Sequence, residues 1–503
     1  MAVHEGTRPA AASDAIAVRQ ETIMALADRA TVPFYDRSRL RPGVVHIGVG
    51  GFHRAHQAVY FDDIARCGIS TEWGITGAGL RSWQMGVVLR AQDCLYTLIE
   101  RDATGSRARV VGSIVDYLHG ADQCRQLLRT LADPETRLVT LTITGNGYNL
   151  DENGEFAADG EGVAHDLADP REPSTVFGFL VEALHRRRRA GTPAFSVLSC
   201  DNIPQNGRSA RAMVLGYAEL RNPELARWIA ENVAFPSCVV DRITPETTPE
   251  ERDELIHTLG VDCRWPVITE PFSQWVIEDT FSNVRPPLDE VGAQFVGDVT
   301  PYELAKKRLL NGTHSAIGYL GSLAGHRTSA DVMADPMFAG FVRGLMEEIV
   351  PLLPAPPALD VPAYAESVQE RLENPAIADG LNRLCRRGSV KMPSYLLPSL
   401  VEALDRRRPH RLLTLATAAY IRYLAGEDAA GRPIEVEDPR ADELVEAARR
   451  SGGDPRPLLA KRDIFGDLVD SPTFVAELEQ ALAALRGSPR DAVDAYLDEQ
   501  LAA

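Results

Sequence analysis

The segment KKRLLNGTH, residues 306–314, sets an amine, a carboxamide and an imidazole within a few helical turns of one another. Thr300, Pro301 and Glu303 just upstream predict a helix start. Thr300 is placed as N-cap, Pro301 at the first helical position and Glu303 as the closing member of a capping box. At about 100° per residue, Lys306, His314 and Asn311 fall at about 0°, 80° and 140°, on one side of the helix. Lys307 and Arg308 point elsewhere, toward solvent or salt bridges. Taken singly, each residue has an ordinary explanation: a solvated lysine, a surface or core histidine, an Asn-Gly pair that breaks a helix. Together they suit oxidation of an alcohol. Removing hydride from a carbinol requires a base for the hydroxyl proton and donors for the developing oxyanion or carbonyl. A lysine can be that base only if its pKa falls from about 10.4 toward about 7–8, as burial and nearby positive charge would bring about. The seven cysteines (67, 94, 124, 200, 238, 263 and 385) show neither CxxC nor zinc spacing, so side chains must supply both functions.

Hydride chemistry needs a partner, and the run HIGVGGFHRAH offers one. Gly48 and Gly50 follow a short apolar strand and open a helix. Glycines there let the chain turn tightly and approach a pyrophosphate, while the helix N-terminus supplies free N–H groups. His53 stands where the fingerprint's third glycine is expected. The cofactor-binding set read from this turn is Val45, Gly48, Val49, Gly50, Gly51, Phe52, His53 and Arg54. A tight strand-to-helix turn with no ligand would look the same. An acidic residue about 20 positions on would grip a ribose. Asp62 and Asp63 come too early, and the second strand ends in GLRSWQ, without a carboxylate. Arg81 there could instead meet a 2′-phosphate, so these residues leave NAD versus NADP open; NAD is the cofactor expected, with NADP not excluded.

These sites need elements to hold them. Strand-like runs VVHIGVGG, WGITGAGL, RVVGSIVDYL, RLVTLTITG and FSVLSCDN alternate with helical stretches such as VFGFLVEALHRRRRA. This predicts a mostly parallel α/β sheet covered on both faces. Beyond about residue 296 the strand signal fades and helical periodicity takes over, predicting an all-α C-terminal domain. The organisation expected is an N-terminal arm over 1–42, partly helical, a Rossmann-type NAD(P)-binding domain over 43–296, and a helical substrate domain over 297–503. A chain of 503 residues exceeds one ordinary core, in line with two domains. The formal net charge of −18 disfavours nucleic acid and anionic membrane as partners. The run HRRRR at 185–189 sits at a helix end, where cations suit the dipole. The first twenty residues lack the pattern of a signal peptide, and no apolar run approaches the roughly 18 residues of a membrane span. The expected location is cytoplasmic.

Six blocks in order, VHIGVGGFHRAHQAVYFDD, SCDNIPQNG, VVDRITP, EPFSQWVIED, YELAKKRLLNGTHSAIGYLG and KMPSYLLPSL, resemble the mannitol dehydrogenase family of polyol-specific long-chain dehydrogenases. The resemblance runs from about residue 43 into the C-terminal region. It implies Lys306 as general base, with Asn311 and Asn202 polarising the substrate oxygen and His314 orienting hydroxyls. It implies Arg383 and Lys391 as substrate contacts, Glu303 at the mouth of a proton path to Lys306, and Val240 and Asp241 near the nicotinamide half. It also implies a monomer and no metal. One departure is Gly145 in TITG, where relatives carry a carboxylate associated with proton relay.

The leading expectation is an NAD(P)-dependent oxidoreductase for a polyol/ketose pair, D-mannitol and D-fructose first. Fructuronate reduction is the nearest alternative, since Arg383, Arg386, Arg387 and Lys391 could clamp a carboxylate. Arabinitol and sorbitol are further alternatives. A dinucleotide-sensing regulator would need a reading module, and no helix-turn-helix or basic recognition helix is legible.

Overall fold

The computed structural model describes residues 15–356 and 358–501. The chain separates into two compact units, residues 1–299 and 300–503.

The first unit is built on five parallel strands: β1 (Val44–Ile47), β2 (Ile75–Gly79), β3 (Ile114–His119), β4 (Leu138–Leu141) and β5 (Ser196–Ser199). Their order is β3-β2-β1-β4-β5. The chain winds outward from β1 to β3, then returns to lay β4 on the other side of β1. That reversal leaves a crevice outside the carboxyl ends of β1 and β4, where doubly wound sheets take their ligands. β1 and β4 are buried at every residue, as expected for strands covered on both faces. Val45, Ile47, Val139 and Leu141 pack with Phe179, Leu180 and Leu184 in one core.

Helix α1 (Gly51–Ala55) and helix α2 (Gln57–Arg66) follow β1. Helix α3 (Val176–Ala190) starts at Thr175, whose hydroxyl accepts from the Gly178 amide, and ends at left-handed Gly191. It carries the arginine run. Arg187 is buried, donating to the carbonyls of Leu131, Thr136 and Pro193, and Arg186 pairs with Glu182. Two of the four arginines therefore serve the fold. Helix α4 (Asn206–Arg221) follows β5. A separate three-stranded sheet joins β6 (Cys238–Asp241), β7 (Gln274–Glu278) and β8 (Gln294–Val296), with β7 central.

Three expectations need correction here. RVVGSIVDYL is two strands, because the chain breaks at Gly112 and Ser113. Residues 105–111 pair antiparallel with 96–102, and only 114–119 join the parallel sheet. The break is fixed by Asp62, which accepts from the Gly112 amide, and by Arg37, which donates to the Gly112 carbonyl. The arm is not an α-helix where described: Ile16–Ala17 pair with Val261–Asp262, and Ile23–Leu26 form one 3₁₀ turn. Its first fourteen residues lie outside the described set. Thr300 is itself helical, so the helix begins one residue earlier than the cap expected for it.

The second unit is helical in its described residues. Helix α5 (Thr300–Ala305) runs without a break through a π-helical segment, Lys306–Asn311, into helix α6 (Gly312–Ala324). Around it lie α7 (Pro336–Ile349), α8 (Leu381–Cys385), α9 (Gly388–Tyr395) and α10 (Arg411–Tyr423). Leu309, Leu310, Ile317, Leu320, Phe341, Leu413 and Tyr420 are among its buried side chains. Among the described residues, no helix is long and apolar enough to cross a membrane.

Candidate active site

A cavity of about 480 Å³ opens in the first unit, at the crevice between β1 and β4. Gly48 and Val49 line it after β1, Gly79 to Ser82 after β2, and Thr142 to Thr144 after β4. Gly48 has φ +101°, and a Cβ there would lie 2.1 Å from the Thr142 carbonyl oxygen. Only glycine meets both demands. At Gly51 a Cβ would meet nothing within 4 Å, and Gly50 caps α1 with no side-chain hydrogen bond. The first amides of α1 are therefore bare of side-chain caps. That is the arrangement a pyrophosphate needs, so the residues present fit a dinucleotide.

The turn is braced from below. His46 in β1 accepts from the Thr140 hydroxyl at 2.8 Å through Nδ1 and donates from Nε2 to Thr142 Oγ1 at 2.9 Å. Thr142 in turn donates to the Gly48 carbonyl at 2.8 Å. Burial holds the His46 pKa down to about 3, so the ring stays neutral in this chain of bonds. His53 stacks on His46 with ring centroids 3.4 Å apart. This explains the missing third glycine: two stacked imidazoles fill the helix–strand contact that glycine elsewhere keeps close.

Not every residue expected at the nucleotide reaches the cavity. His53 is fully buried in that stack. Val45 is a core residue in mid-strand. Arg54 is buried, donating to the Trp265 carbonyl at 2.5 Å and the Gly50 carbonyl at 3.3 Å. These three side chains are buried in the fold and do not line the cavity. Gly50, Gly51 and Phe52 flank the cavity without lining it. Val240 and Asp241 are buried in β6, outside the lining set.

Two residues that were not expected hold the loops beside the cavity. Asp201 accepts from the Ile143 and Thr144 amides at 2.8 and 2.9 Å and from the Tyr148 hydroxyl at 2.7 Å. Burial raises its pKa despite these bonds. Asn206 donates to the carbonyls of Asp201 and Cys238 and accepts from the Cys238 amide at 3.0 Å. It thereby laces the turn bearing exposed Asn202 to the strand bearing Val240 and Asp241. Both lie in SCDNIPQNG, whose density of small polar residues was the available signal. Gly145 opens a 3₁₀ turn over Gly145–Tyr148, and a Cβ there would meet nothing within 4 Å. Packing therefore does not demand glycine at this position.

In the second unit the first six residues of KKRLLNGTH, Lys306–Asn311, form the π-helix. The Gly312 amide reaches back five residues to the Lys307 carbonyl. In such a turn five residues span little more than one rotation, less than the roughly 500° they span in an α-helix. Lys306 and Asn311 are so spaced, and His314 follows Asn311 by three, the spacing of neighbours in an α-helix. The π turn thus draws Asn311 closer to the line of Lys306 than regular α geometry would. It also replaces the break expected at Asn-Gly: Gly312 continues the helix with φ −62°. Its missing side chain admits the Tyr395 carbonyl oxygen, which would lie 3.2 Å from a Cβ.

Lys306 is buried, with 9% of its surface exposed. The Asn311 Nδ2 is buried and has no hydrogen-bond partner among the described residues. A carboxamide N–H held this way costs stability and is available to an incoming oxygen. Lys307 pairs with Glu303 and Arg308 with Glu402, so the other two cations of the segment are neutralised away from this face. Glu303, one turn before Lys306, has the Lys307 ammonium as its ion-pair partner.

Arg383 and Lys391 come together around α8. Arg383 forks onto Asp379, with Nε 2.6 Å from Oδ1 and the second amine on Oδ2. Lys391 Nζ donates to the Arg383 and Leu384 carbonyls at 3.2 and 3.0 Å. Burial lowers the Lys391 pKa to about 8, aided by Arg383 and Arg386 and opposed chiefly by Cys385. Among the described residues, no group of three or more His, Cys, Asp or Glu side chains could hold a metal ion.

Comparisons with known proteins bear on both units. The family model described as the mannitol dehydrogenase Rossmann domain matches residues 42–290, and that of the mannitol dehydrogenase C-terminal domain matches residues 298–486. A mannitol 2-dehydrogenase from Aspergillus terreus is 46% identical over 91% of this chain and 93% of its own length. Mannitol dehydrogenase 2 of Saccharomyces cerevisiae is 42% identical over 96% and 98%. The structure of Pseudomonas fluorescens mannitol 2-dehydrogenase in ternary complex with NAD and D-mannitol aligns with a TM-score of 0.84 at 42% identity, covering 97% of this chain and 100% of that one. A substrate-free D-sorbitol dehydrogenase aligns with a TM-score of 0.88 at 36% identity, covering 96% and 100%.

Proposed function

The chain belongs to the mannitol dehydrogenase family, and on that premise we propose that it interconverts D-mannitol and D-fructose with NAD as hydride partner. The observation that supports the reading is the π turn over Lys306–Asn311, which carries a buried lysine and a buried carboxamide donor that has no hydrogen-bond partner among the described residues. The dinucleotide, when bound, takes up or returns the hydride. Lys306 removes the carbinol hydroxyl proton during oxidation and returns it during reduction. Asn311, through its Nδ2–H, stabilises the oxygen as negative charge develops, and Asn202 is the second donor to that oxygen. His314 orients the neighbouring hydroxyls, and Arg383 and Lys391 hold the far end of the polyol. Glu303 relays protons between solvent and Lys306. Gly48, Val49, Gly50, Gly51 and Phe52 serve the dinucleotide through the backbone of the turn. Val240 and Asp241 support its nicotinamide half.

In this reading the division of labour is an arm over 1–42, a nucleotide domain over 43–296 and a substrate domain over 297–503. The protein acts as a monomer in the cytoplasm. The test is absorbance at 340 nm with a chelator present, offering D-mannitol, D-sorbitol and D-arabinitol with NAD, and D-fructose and D-fructuronate with NADH. Mannitol oxidation and fructose reduction well above the others support the proposal. Turnover of fructuronate alone would replace the substrate and keep the family. Preference for sorbitol would place the chain with its D-sorbitol dehydrogenase relative.

A further inference from the structure

We propose that the helical unit holds a second small-molecule site, for a phosphorylated sugar or polyol, whose phosphate is taken by Arg343, Arg407 and Arg408. The site is a cavity of about 1230 Å³ within the second unit. Its walls come from α7, from the segment 404–411 that leads into α10, and from the helices Pro472–Ala484 and Pro489–Leu501. That volume is above the roughly 300–1,000 Å³ of ordinary ligand pockets. None of the residues assigned to the polyol or to the dinucleotide lines it.

Four arginines reach this one cavity in a chain whose formal net charge is −18. Arg411 lies over the Tyr496 ring at 4.7 Å. Arg343, Arg407 and Arg408 are exposed and make no ion pair among the described residues. Two of the three nearby carboxylates are engaged elsewhere. Glu348 accepts from the Leu412 and Leu413 amides, each at 3.0 Å, and Glu477 meets the His410 ring at 3.0 Å. Three guanidiniums are thus left for an outside oxyanion, and their planar forks match a phosphate monoester.

The backbone at Arg407 points the same way. The helix Leu397–Asp405 ends with the Arg408 amide on the Ala403 carbonyl at 2.8 Å and with Arg407 left-handed at φ +52°. Helices usually close on glycine at such a position, because a Cβ there is strained. Here the strained position sets a guanidinium at the cavity wall instead. Glu347 and Gln480 also line the cavity. They accept hydrogen bonds from hydroxyls, and Glu347 would repel a second carboxylate. The lining therefore suits one dianionic group joined to a hydroxylated body, rather than a polycarboxylate.

The test is calorimetry of the full chain with glucose 6-phosphate, inorganic phosphate, glucose and citrate at fixed ionic strength. It needs no turnover, so its result is independent of the mannitol reading. Glucose 6-phosphate should bind at least about tenfold more tightly than each of the other three. Arg407→Gly suits the left-handed backbone, so its thermal midpoint should equal or exceed that of the wild type. Its affinity for glucose 6-phosphate should nevertheless fall about ten- to a hundredfold, as should that of Arg343→Ala. Initial rates with D-mannitol should be unchanged in both variants. No binding of glucose 6-phosphate by the wild type would overturn the proposal. Equal affinity for inorganic phosphate or citrate would overturn the ligand class. Unchanged affinity in both variants would place the anion elsewhere and overturn the site.

Discussion

Replacing Asn311 by alanine separates the cost of a catalytic group from its benefit. The Asn311 Nδ2 is buried and has no hydrogen-bond partner among the described residues. An unsatisfied buried donor costs about 1–3 kcal/mol of stability. The side chain's packing contacts partly offset this, because truncating a partly buried residue loses dispersion and leaves a small void. The two effects oppose each other, so Asn311→Ala should unfold in urea within about 1 kcal/mol of wild type, or later. Hydride transfer should behave differently. Loss of one preorganised oxyanion donor costs about 2.7–4 kcal/mol, a rate reduction of about a hundred- to a thousandfold. The assay pairs urea denaturation with stopped-flow single turnover of mannitol at saturating NAD. A slow variant of normal stability is the expected outcome. An unchanged single-turnover rate would remove Asn311 from the site. A slow variant destabilised by several kcal/mol would make it a structural residue and refute the reasoning.

Asn206→Ala removes three buried hydrogen bonds that join the Asn202 turn to β6. It should destabilise the first unit by about 2–4 kcal/mol and raise the KM for polyol more than for dinucleotide, read by thermal denaturation and initial rates. Lys391 has a pKa of about 8 against an ordinary value of 10.5. Between those values the unfolded chain binds more protons, so this group makes stability rise with pH across that window, and its penalty is complete below about pH 8. The difference in unfolding free energy between wild type and Lys391→Met should therefore be flat below pH 8 and change through pH 8–10. A difference independent of pH throughout would show that Lys391 is not perturbed in the fold.

The sheet was legible because parallel strands buried on both faces leave continuous apolar runs between helices, as in VVHI and LVTL. The Gly48 turn was legible because one backbone position demands both a positive φ and close approach to Thr142. The chemistry of KKRLLNGTH was legible as residue types, but its geometry was not. A π turn carries no composition of its own, and Asn-Gly pointed to a break where Gly312 continues the helix with φ −62°. The inward course of the His53 and Arg54 side chains was hidden for a related reason. Their positions in the sequence resemble a phosphate loop, while their side chains turn inward to His46 and to the Trp265 carbonyl. Asp201 and Asn206 passed unnoticed because a buried polar brace becomes visible only when its distant partners come together.

The most direct measurement is NADH formation from D-mannitol by wild type and by Lys306→Ala, followed in single turnover across pH 6–10 with a chelator present, beside the NADH dissociation constant of each. The account predicts a loss of several orders of magnitude in the variant at neutral pH, a rate that climbs with pH as hydroxide substitutes for the base, and NADH binding nearly unchanged. A variant that oxidises mannitol at a near-normal rate would contradict the assignment of Lys306 as the base.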